Sequence, residues 1–377
     1  MELVTIVNSY LNLFRFFGIC VQTPGMSYYT KIFSYSASIL SVIYVIPLAP
    51  ILYFQTKPTK TTEIVDYIQC VCIYFTHLVL TIETLFTRNS QLRFWYYVKK
   101  IEGLYLNNIE DVTNAYGQFK RPVFQKILIL IALSIVLEGY LVVNYIVYKD
   151  QTKAVVYTIM PWFLNIYSVM AGRARHMSHI LAIEILKMHI EIFNNSLIRL
   201  NRKFKKSQLK LDTTTMIEEL NFIKFRHTFI WELCKSVNSC YICSQFVNIF
   251  VNFFQITCVS FYVYHMFANG SFAYAFPTML LAIAVAIHIF VLLRTCENLQ
   301  FESQKSAHLV HDILQTSNEN KNDLIRNCLV NISLQIHHEK ISIGFGRLFT
   351  LNATFMTMMV ATITTYLVIF IQLLKPT

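Results

Sequence analysis

The chain has 377 residues, of which 55% are hydrophobic and only 14% charged, and its mean hydropathy is +0.47. This balance excludes an ordinary soluble domain, because charged and polar side chains normally cover the outside of a soluble protein. The formal net charge is +11, but no zinc-finger spacing or basic-and-aromatic module accompanies it, so we expect no nucleic-acid partner.

Long uncharged runs predict an all-α membrane protein, because a helix needs about 20 mostly apolar residues to cross the hydrocarbon core. The third run contains Glu138, and the second is the weakest because it carries Asp66 and Glu83 near its ends. We predict seven spans, at residues 34–54, 64–86, 123–147, 154–172, 240–266, 274–293 and 348–374.

The distribution of basic residues predicts the orientation of these spans. If the N-terminus is cytoplasmic, the outer loops and the C-terminal tail contain only five of the 32 Lys and Arg residues. The long inner loop then carries the basic run RLNRKFKKSQLK. Since cytoplasmic loops are enriched in Lys and Arg, we expect the N-terminus inside and the C-terminus outside. The N-terminus has no basic region followed by a small-residue cleavage site, so we expect no signal peptide.

This topology divides the chain into five parts. We assign the N-terminal segment with spans one to four to residues 1–172, a cytoplasmic helical segment to 173–239, spans five and six to 240–293, a second cytoplasmic helical segment to 294–347, and the last span with its tail to 348–377.

The first cytoplasmic segment has an apolar stripe at helical spacing, which predicts that span four continues inwards as a helix. The stripe consists of Ile183, Leu186, Ile190, Phe193, Leu197, Leu200 and Phe204. We expect it to pack against another inner segment or another subunit and to drive subunit assembly. A helix lying on the membrane surface is the alternative.

No motif predicts an enzyme, a metal site or a cofactor. His176 and His179 have a spacing that suits a metal, but no third ligand is near in sequence. We interpret them, with Arg173 and Arg175, as polar residues at the cytoplasmic membrane surface. Cysteines are missing from the predicted outer loops, so disulfides are not expected. Asn269 begins an Asn-Gly-Ser glycosylation sequon in an outer loop.

Polar and aromatic residues cluster in the outer halves of spans three to five. Such a mixture is typical of a ligand cavity, with aromatic walls and a few polar groups. Helix-packing residues that bond to one another are the alternative. The candidate ligand-binding residues are Glu138, Tyr145, Thr158, Trp162, Asn165, Gln255 and Tyr262.

The last span has a thin stripe of small and hydroxyl-bearing residues. Several copies around an axis would line a water-filled pore with such a stripe. A close helix–helix contact explains the small residues but not a glutamine near the outer end. Counting back from Gln372, the stripe is Val368, Thr365, Ala361, Thr357 and Thr354.

The stretch TYLVIFIQL at residues 365–373 resembles the signature that ends insect gustatory receptors, in which Thr-Tyr is followed by five apolar residues and Gln-Phe. Chain length, seven spans, an inner N-terminus, long inner loops and short outer loops are similar too. The sequence departs from the signature at its last position, where Leu373 replaces Phe.

This resemblance implies a ligand-gated, non-selective channel for cations such as sodium, potassium and calcium. It implies a tetramer, of one chain or with related receptors, embedded in lipid at the plasma membrane of chemosensory neurons. The seventh helices would line the pore, with Gln372 and Leu373 at its outer mouth and gate. The Tyr366 hydroxyl would bond a neighbouring helix.

The resemblance also implies an anchor domain made of the cytoplasmic helices and a small-molecule tastant bound in the outer half of the bundle. The sequence favours an apolar or bitter plant compound over a sugar. An insect odorant-receptor-like channel, or a seven-helix receptor coupled to intracellular signalling, is the alternative.

Overall fold

The computed structural model describes residues 3–57, 61–105, 109–148, 160–206, 213–268, 270, 272–318, 323–346 and 349–373. Within these ranges the chain forms eleven α-helices and no strand, apart from one isolated bridge between Gly344 and Thr350. The helices are α1 (Leu3–Phe16), α2 (Tyr28–Val45), α3 (Leu48–Thr56), α4 (Thr61–Phe86), α5 (Arg88–Gly103), α6 (Ile109–Tyr148), α7 (Met160–Lys206), α8 (Thr213–Ala268), α9 (Phe272–Asn318), α10 (Asp323–His338) and α11 (Ala353–Leu373).

The apolar helices agree with the all-α membrane prediction. In the described residues, five helical stretches are long and apolar enough to cross a membrane, and they match predicted spans one, two, three, five and six. A shorter apolar stretch, Ala353–Ile369, matches the last span. The first span is divided between α2 and α3 at Pro47, which has no N–H to continue the backbone ladder. Span four is described from Met160 onwards.

Spans three to six extend well beyond the membrane. The helices α6, α7, α8 and α9 contain 40, 47, 56 and 47 residues. At 1.5 Å per residue, α8 is about 84 Å long, far more than the roughly 30 Å hydrocarbon core. The helices therefore continue beyond the membrane, and the prediction that span four continues as a helix past residue 172 is confirmed.

The apolar stripe on α7 is buried within a single chain. Its residues, including Ile183, Ile190 and Leu197, are at most 2% exposed, because α7 packs against α9 and α8. The stripe therefore has its partner in the same chain. The expectation that this stripe itself drives subunit assembly is wrong, since no part of it is left for another subunit.

Two helices that the sequence analysis did not predict pack against the bundle. The N-terminal helix α1 buries Leu3, Val7, Leu11 and Phe14, which lie on one face at spacings of three and four residues. It packs against α2 and α7. The helix α5 packs mainly against α8 and buries Phe94, Trp95, Val98 and Ile101.

Candidate functional site

Two buried arginines on α7 pair with carboxylates on two other spans. The Arg173 Nη2 atom lies 2.5 Å from Glu138 Oε1 on α6, and both side chains are 6% exposed. The Arg175 Nη2 atom lies 2.8 Å from Glu83 Oε2 on α4, with side-chain exposures of 3% and 7%. Arg175 also donates through Nε to Ser244 Oγ on α8 at 2.9 Å. Charges this deep need partners and further hydrogen bonds, so these contacts tie spans two to five together.

A network of amides and histidines continues this polar layer. His176 on α7 bonds through Nδ1 to Gln245 and through Nε2 to Asn252, both at 2.8 Å. Asn248, between these two on α8, donates to the Gly172 carbonyl at 2.9 Å. His288 on α9 contacts Ser134 on α6 at 3.2 Å. The layer therefore crosses the bundle from α6 to α9.

A small polar cavity lies within this layer. Its volume is about 30 Å³, which is room for about two water molecules. Its polar lining consists of Thr76, Ser168, Arg173, Asn248, Asn252 and Gln255. The cavity therefore brings Gln255, a predicted ligand-binding residue, to the same arginine that binds Glu138.

Other predicted ligand-binding residues face the second span. The Tyr74 hydroxyl on α4 donates to Asn165 Oδ1, and Asn165 Nδ2 lies 3.3 Å from the Cys70 sulfur. The Tyr262 hydroxyl is hydrogen-bonded to Asp66 near the outer end of α4. The structure thus brings Glu138 and Gln255 together around Arg173, and it places Asn165 and Tyr262 against α4.

Some predicted positions lie outside the described residues. Thr158 and Asn269 are not described, and neither are the side chains of Tyr145, Trp162 and Leu373. Their roles in ligand binding, glycosylation and gating stay predictions.

The structure buries Arg173, Arg175, His176 and His179 inside the helix bundle instead of leaving them exposed at a membrane surface. All four are at most 5% exposed, and the His179 ring stacks on Tyr241 at 4.4 Å between centroids. A signal for this was present in the sequence. Two spans each carry a carboxylate that needs a cation, and two arginines follow the fourth apolar run.

The described part of α11 presents two different faces. Met359 is 8% exposed and lines a crevice with Ile256 of α8 and Ile289 of α9. On the other side Ala361, Thr365, Val368 and Gln372 are exposed in the single chain. The Thr365 hydroxyl donates to the Ala361 carbonyl of its own helix at 3.0 Å. Tyr366 is 48% exposed.

The segment before α11 contains a turn at residues 341–346, which is bonded to residues 349–351 and held by α8. Phe345 N–H donates to the Phe349 carbonyl at 2.9 Å, and a Cβ on Gly344 would lie 2.3 Å from that same oxygen, so only glycine fits there. Asn238 on α8 donates to the Ser342 carbonyl at 2.9 Å and accepts from Gly344 N–H at 3.2 Å. The helix α8 therefore contributes both to the polar layer, through Asn248, and to the contacts that hold the turn before α11, through Asn238.

Comparison with known proteins gives one family and one fold. Residues 7–373 match the sequence profile described as 7tm Chemosensory receptor. The structure of the insect olfactory receptor OR5 from Machilis hrabei superimposes with a TM-score of 0.71 at 14% identity, covering 98% of both chains. The same receptor in complex with eugenol gives a TM-score of 0.64 at 14% identity and 98% coverage of both chains. No curated protein matches the chain significantly.

Proposed function

Because the chain belongs to the 7tm chemosensory receptor family, we propose that it is a gustatory receptor, a tastant-gated non-selective cation channel of the plasma membrane. The proposal rests on the sequence and the exposure of α11. Its end bears the gustatory-type sequence TYLVIFIQL, and its small-residue stripe is exposed in the single chain while the opposite face packs on α8 and α9.

Four copies around an axis complete the pore in this proposal. Each contributes the stripe of Ala361, Thr365, Val368 and Gln372, and uncharged groups let sodium, potassium and calcium pass without holding them. The copies are identical or include related receptors. Such chains would work at the surface of chemosensory neurons.

The agonist is proposed to be a small tastant bound in the outer half of the bundle. Trp162, Tyr145 and Thr158 would form its walls, and Tyr262 with Asp66 would provide polar contacts near the outer end. The ion-paired state of Glu138 leaves it less available to a cationic ligand. This supports a neutral, largely apolar or bitter plant compound.

An odorant-receptor-like channel is the second candidate function. It is supported by the match to the OR5 fold along 98% of the chain, and the eugenol complex shows that OR5 itself binds a small volatile phenol.

The test is whole-cell recording from cells that express this chain alone, with G-protein signalling blocked through the pipette. A panel of sugars, alkaloids, non-volatile plant phenols and volatile phenols, including eugenol, is applied outside. Cation current evoked by a non-volatile compound supports the gustatory channel, and current evoked only by volatiles supports the odorant-receptor-like channel. Responses that disappear under the block would overturn both in favour of a coupled receptor.

A further inference from the structure

A lateral cavity between α6 and α7, far from the proposed tastant site, has the makeup of a binding site. Its volume is about 330 Å³, at the lower end of the range for small-molecule sites, about 300–1,000 Å³. One helical face from each helix forms it, and its lining is half polar and half apolar. The lining includes Gln118, Pro122 and Lys126 of α6, and Glu184, Lys187 and Glu191 of α7. We call it the α6–α7 cavity.

The charges of this cavity balance. Lys126 pairs with Glu184 across the two helices, and its Nζ atom lies 3.4 Å from the Thr295 hydroxyl of α9. Lys187 and Glu191 pair less tightly, at 3.3 Å on one helix, with side chains 24% and 46% exposed. A ligand with one negative and one positive group therefore matches this open pair better than a net anion does.

The predicted topology places this cavity at the inner headgroup region, because span three is predicted to begin at residue 123. Lys126 lies 22 residues before Tyr148, the last residue of α6, which corresponds to about 33 Å along a helix. That length is close to the hydrocarbon thickness, about 30 Å. The neighbouring Lys120 and Arg121 are exposed, as expected on the cytoplasmic side.

An exposed apolar stripe leads from the cavity into the membrane. Ile129 and Val136 follow the cavity residue Pro122 at intervals of seven residues, on the same face of α6. They are 63% and 65% exposed. Because Pro122 has no N–H, the Gln118 carbonyl also lacks its helical donor and is an acceptor available to an ammonium group.

We propose that the α6–α7 cavity binds the headgroup of an inner-leaflet ethanolamine phospholipid. The phosphate contacts Lys187, the ammonium donates to the Glu191 carboxylate, and an acyl chain lies along Ile129 and Val136. A choline headgroup has no N–H to donate, so it binds more weakly. A headgroup with a net negative charge has no cationic group that could pair with the Glu191 carboxylate.

The experiment uses the full-length purified protein, stripped of lipid in detergent, with native mass spectrometry and melting temperature as readouts. The probes are dioleoyl phosphatidylethanolamine, phosphatidylcholine, phosphatidylglycerol and soluble phosphoethanolamine. We expect about tenfold tighter binding of the ethanolamine lipid than of the choline lipid, and at least about a hundredfold weaker binding of soluble phosphoethanolamine.

Two variants test which side chains of the α6–α7 cavity bind the lipid headgroup. Glu191→Gln should abolish the preference for ethanolamine over choline, and Lys187→Gln should weaken binding of both lipids about tenfold. Glu232→Gln and Lys235→Gln, in an exposed pair on α8, are matched controls that should change neither. The preference is a ratio within one protein, so a modest loss of stability does not hide it. Equal binding of both lipids, tighter binding of phosphatidylglycerol, tight binding of the soluble headgroup, or an unchanged preference in Glu191→Gln would each overturn the proposal.

Discussion

Arg173 on α7 donates a hydrogen bond of 2.5 Å to the Glu138 carboxylate on α6, in a place where each side chain is only 6% exposed. Removing one member of such a buried pair leaves the other charge uncompensated, at a cost of about 3–5 kcal/mol. Glu138 therefore stabilises the helix bundle whether or not it also contacts a ligand.

We predict that Glu138→Gln lowers the melting temperature of the purified protein and its amount at the cell surface. The double variant Glu138→Gln with Arg173→Gln should recover part of the loss, because no lone charge remains. Glu297→Gln is the control, since its pair with Arg294 is largely exposed and such pairs contribute about 0–1 kcal/mol. A melting temperature equal to that of the wild type would show that Arg173 finds another partner.

The transmembrane helices could be predicted from sequence because the membrane imposes one simple rule, a long apolar run with all backbone groups bonded inside the helix. The ion pairs of the two buried arginines could not be predicted in this way. Arg173 and Arg175 stand at the end of an apolar run, where basic residues usually mark the cytoplasmic surface. Their partners lie 35 and 92 residues away in sequence. Only the packing of α7 against α4 and α6 makes them neighbours.

The stripe on α7 illustrates the same limit. Its spacing correctly predicts a helix with one buried face, because periodicity depends only on local geometry. Whether Ile190 packs against its own chain or against another subunit depends on how α7 packs on α9. The spacing of apolar residues gives no information about that packing. The same limit applies to the polar residues in the outer half of the bundle. Asn165 of span four was predicted to face a cavity with residues of spans three and five, but it contacts Tyr74 of span two.

We predict that Asn238→Ala weakens the coupling between α8 and α11. It removes both bonds to the turn at Ser342 and Gly344 and leaves two backbone groups without these partners, at a cost of about 1–3 kcal/mol. The expected result is a smaller agonist-evoked current for the same amount of protein at the surface. Ser239→Ala, next along the same helix, is the control. Full current in Asn238→Ala would show that the turn keeps its shape without α8.

We predict that mild acid destabilises the protein through His189. This side chain on the cytoplasmic part of α7 is fully buried, neither ring nitrogen has a partner among the described residues, and burial lowers its pKa to about 4. The unfolded chain binds the proton near pH 6.5, so stability is present above that pH and is lost as the pH falls towards 4. At pH 5 the loss is about 2 kcal/mol.

The measurement is the difference in melting temperature between pH 7.5 and pH 5. Replacing the ring by an apolar side chain, His189→Leu, should reduce that difference. His308→Leu, at an exposed position of α9, should leave it unchanged. The same acid sensitivity in His189→Leu and the wild type would assign the effect to other groups, such as His227, whose pKa is also lowered by burial.

We predict that Trp162→Ala reduces agonist potency without changing conduction. Truncating a buried aromatic contact costs on the order of 1–3 kcal/mol of binding, which is about tenfold or more in the half-maximal concentration. Trp231→Ala is the control, because this residue lies on the inner part of α8 beneath Lys235. If the dose–response curve keeps its position for every agonist, the tastant does not bind beside Trp162.

The last prediction concerns Gln372, which is exposed near the end of α11. In the predicted orientation, with the C-terminus outside, this residue would lie at the outer mouth of the proposed pore, and Thr365 lies two turns deeper on the same face, about 10 Å away. Tyr366 is turned about 100° from Thr365, and we expect it to contact a neighbouring helix in the assembly and fix the rotation of α11. Four Leu373 side chains near the axis would exclude water and form a hydrophobic gate, and a modest rotation would replace them with the amides of Gln372 and wet the pore.

We therefore expect a charged thiol reagent applied outside to block Gln372→Cys channels mainly while agonist is bound. Met359→Cys, on the face of α11 that packs in the crevice with Ile256 and Ile289, should not react, and neither should the wild type. If Gln372→Cys conducts but is unmodified in both states, the pore lies elsewhere in the assembly.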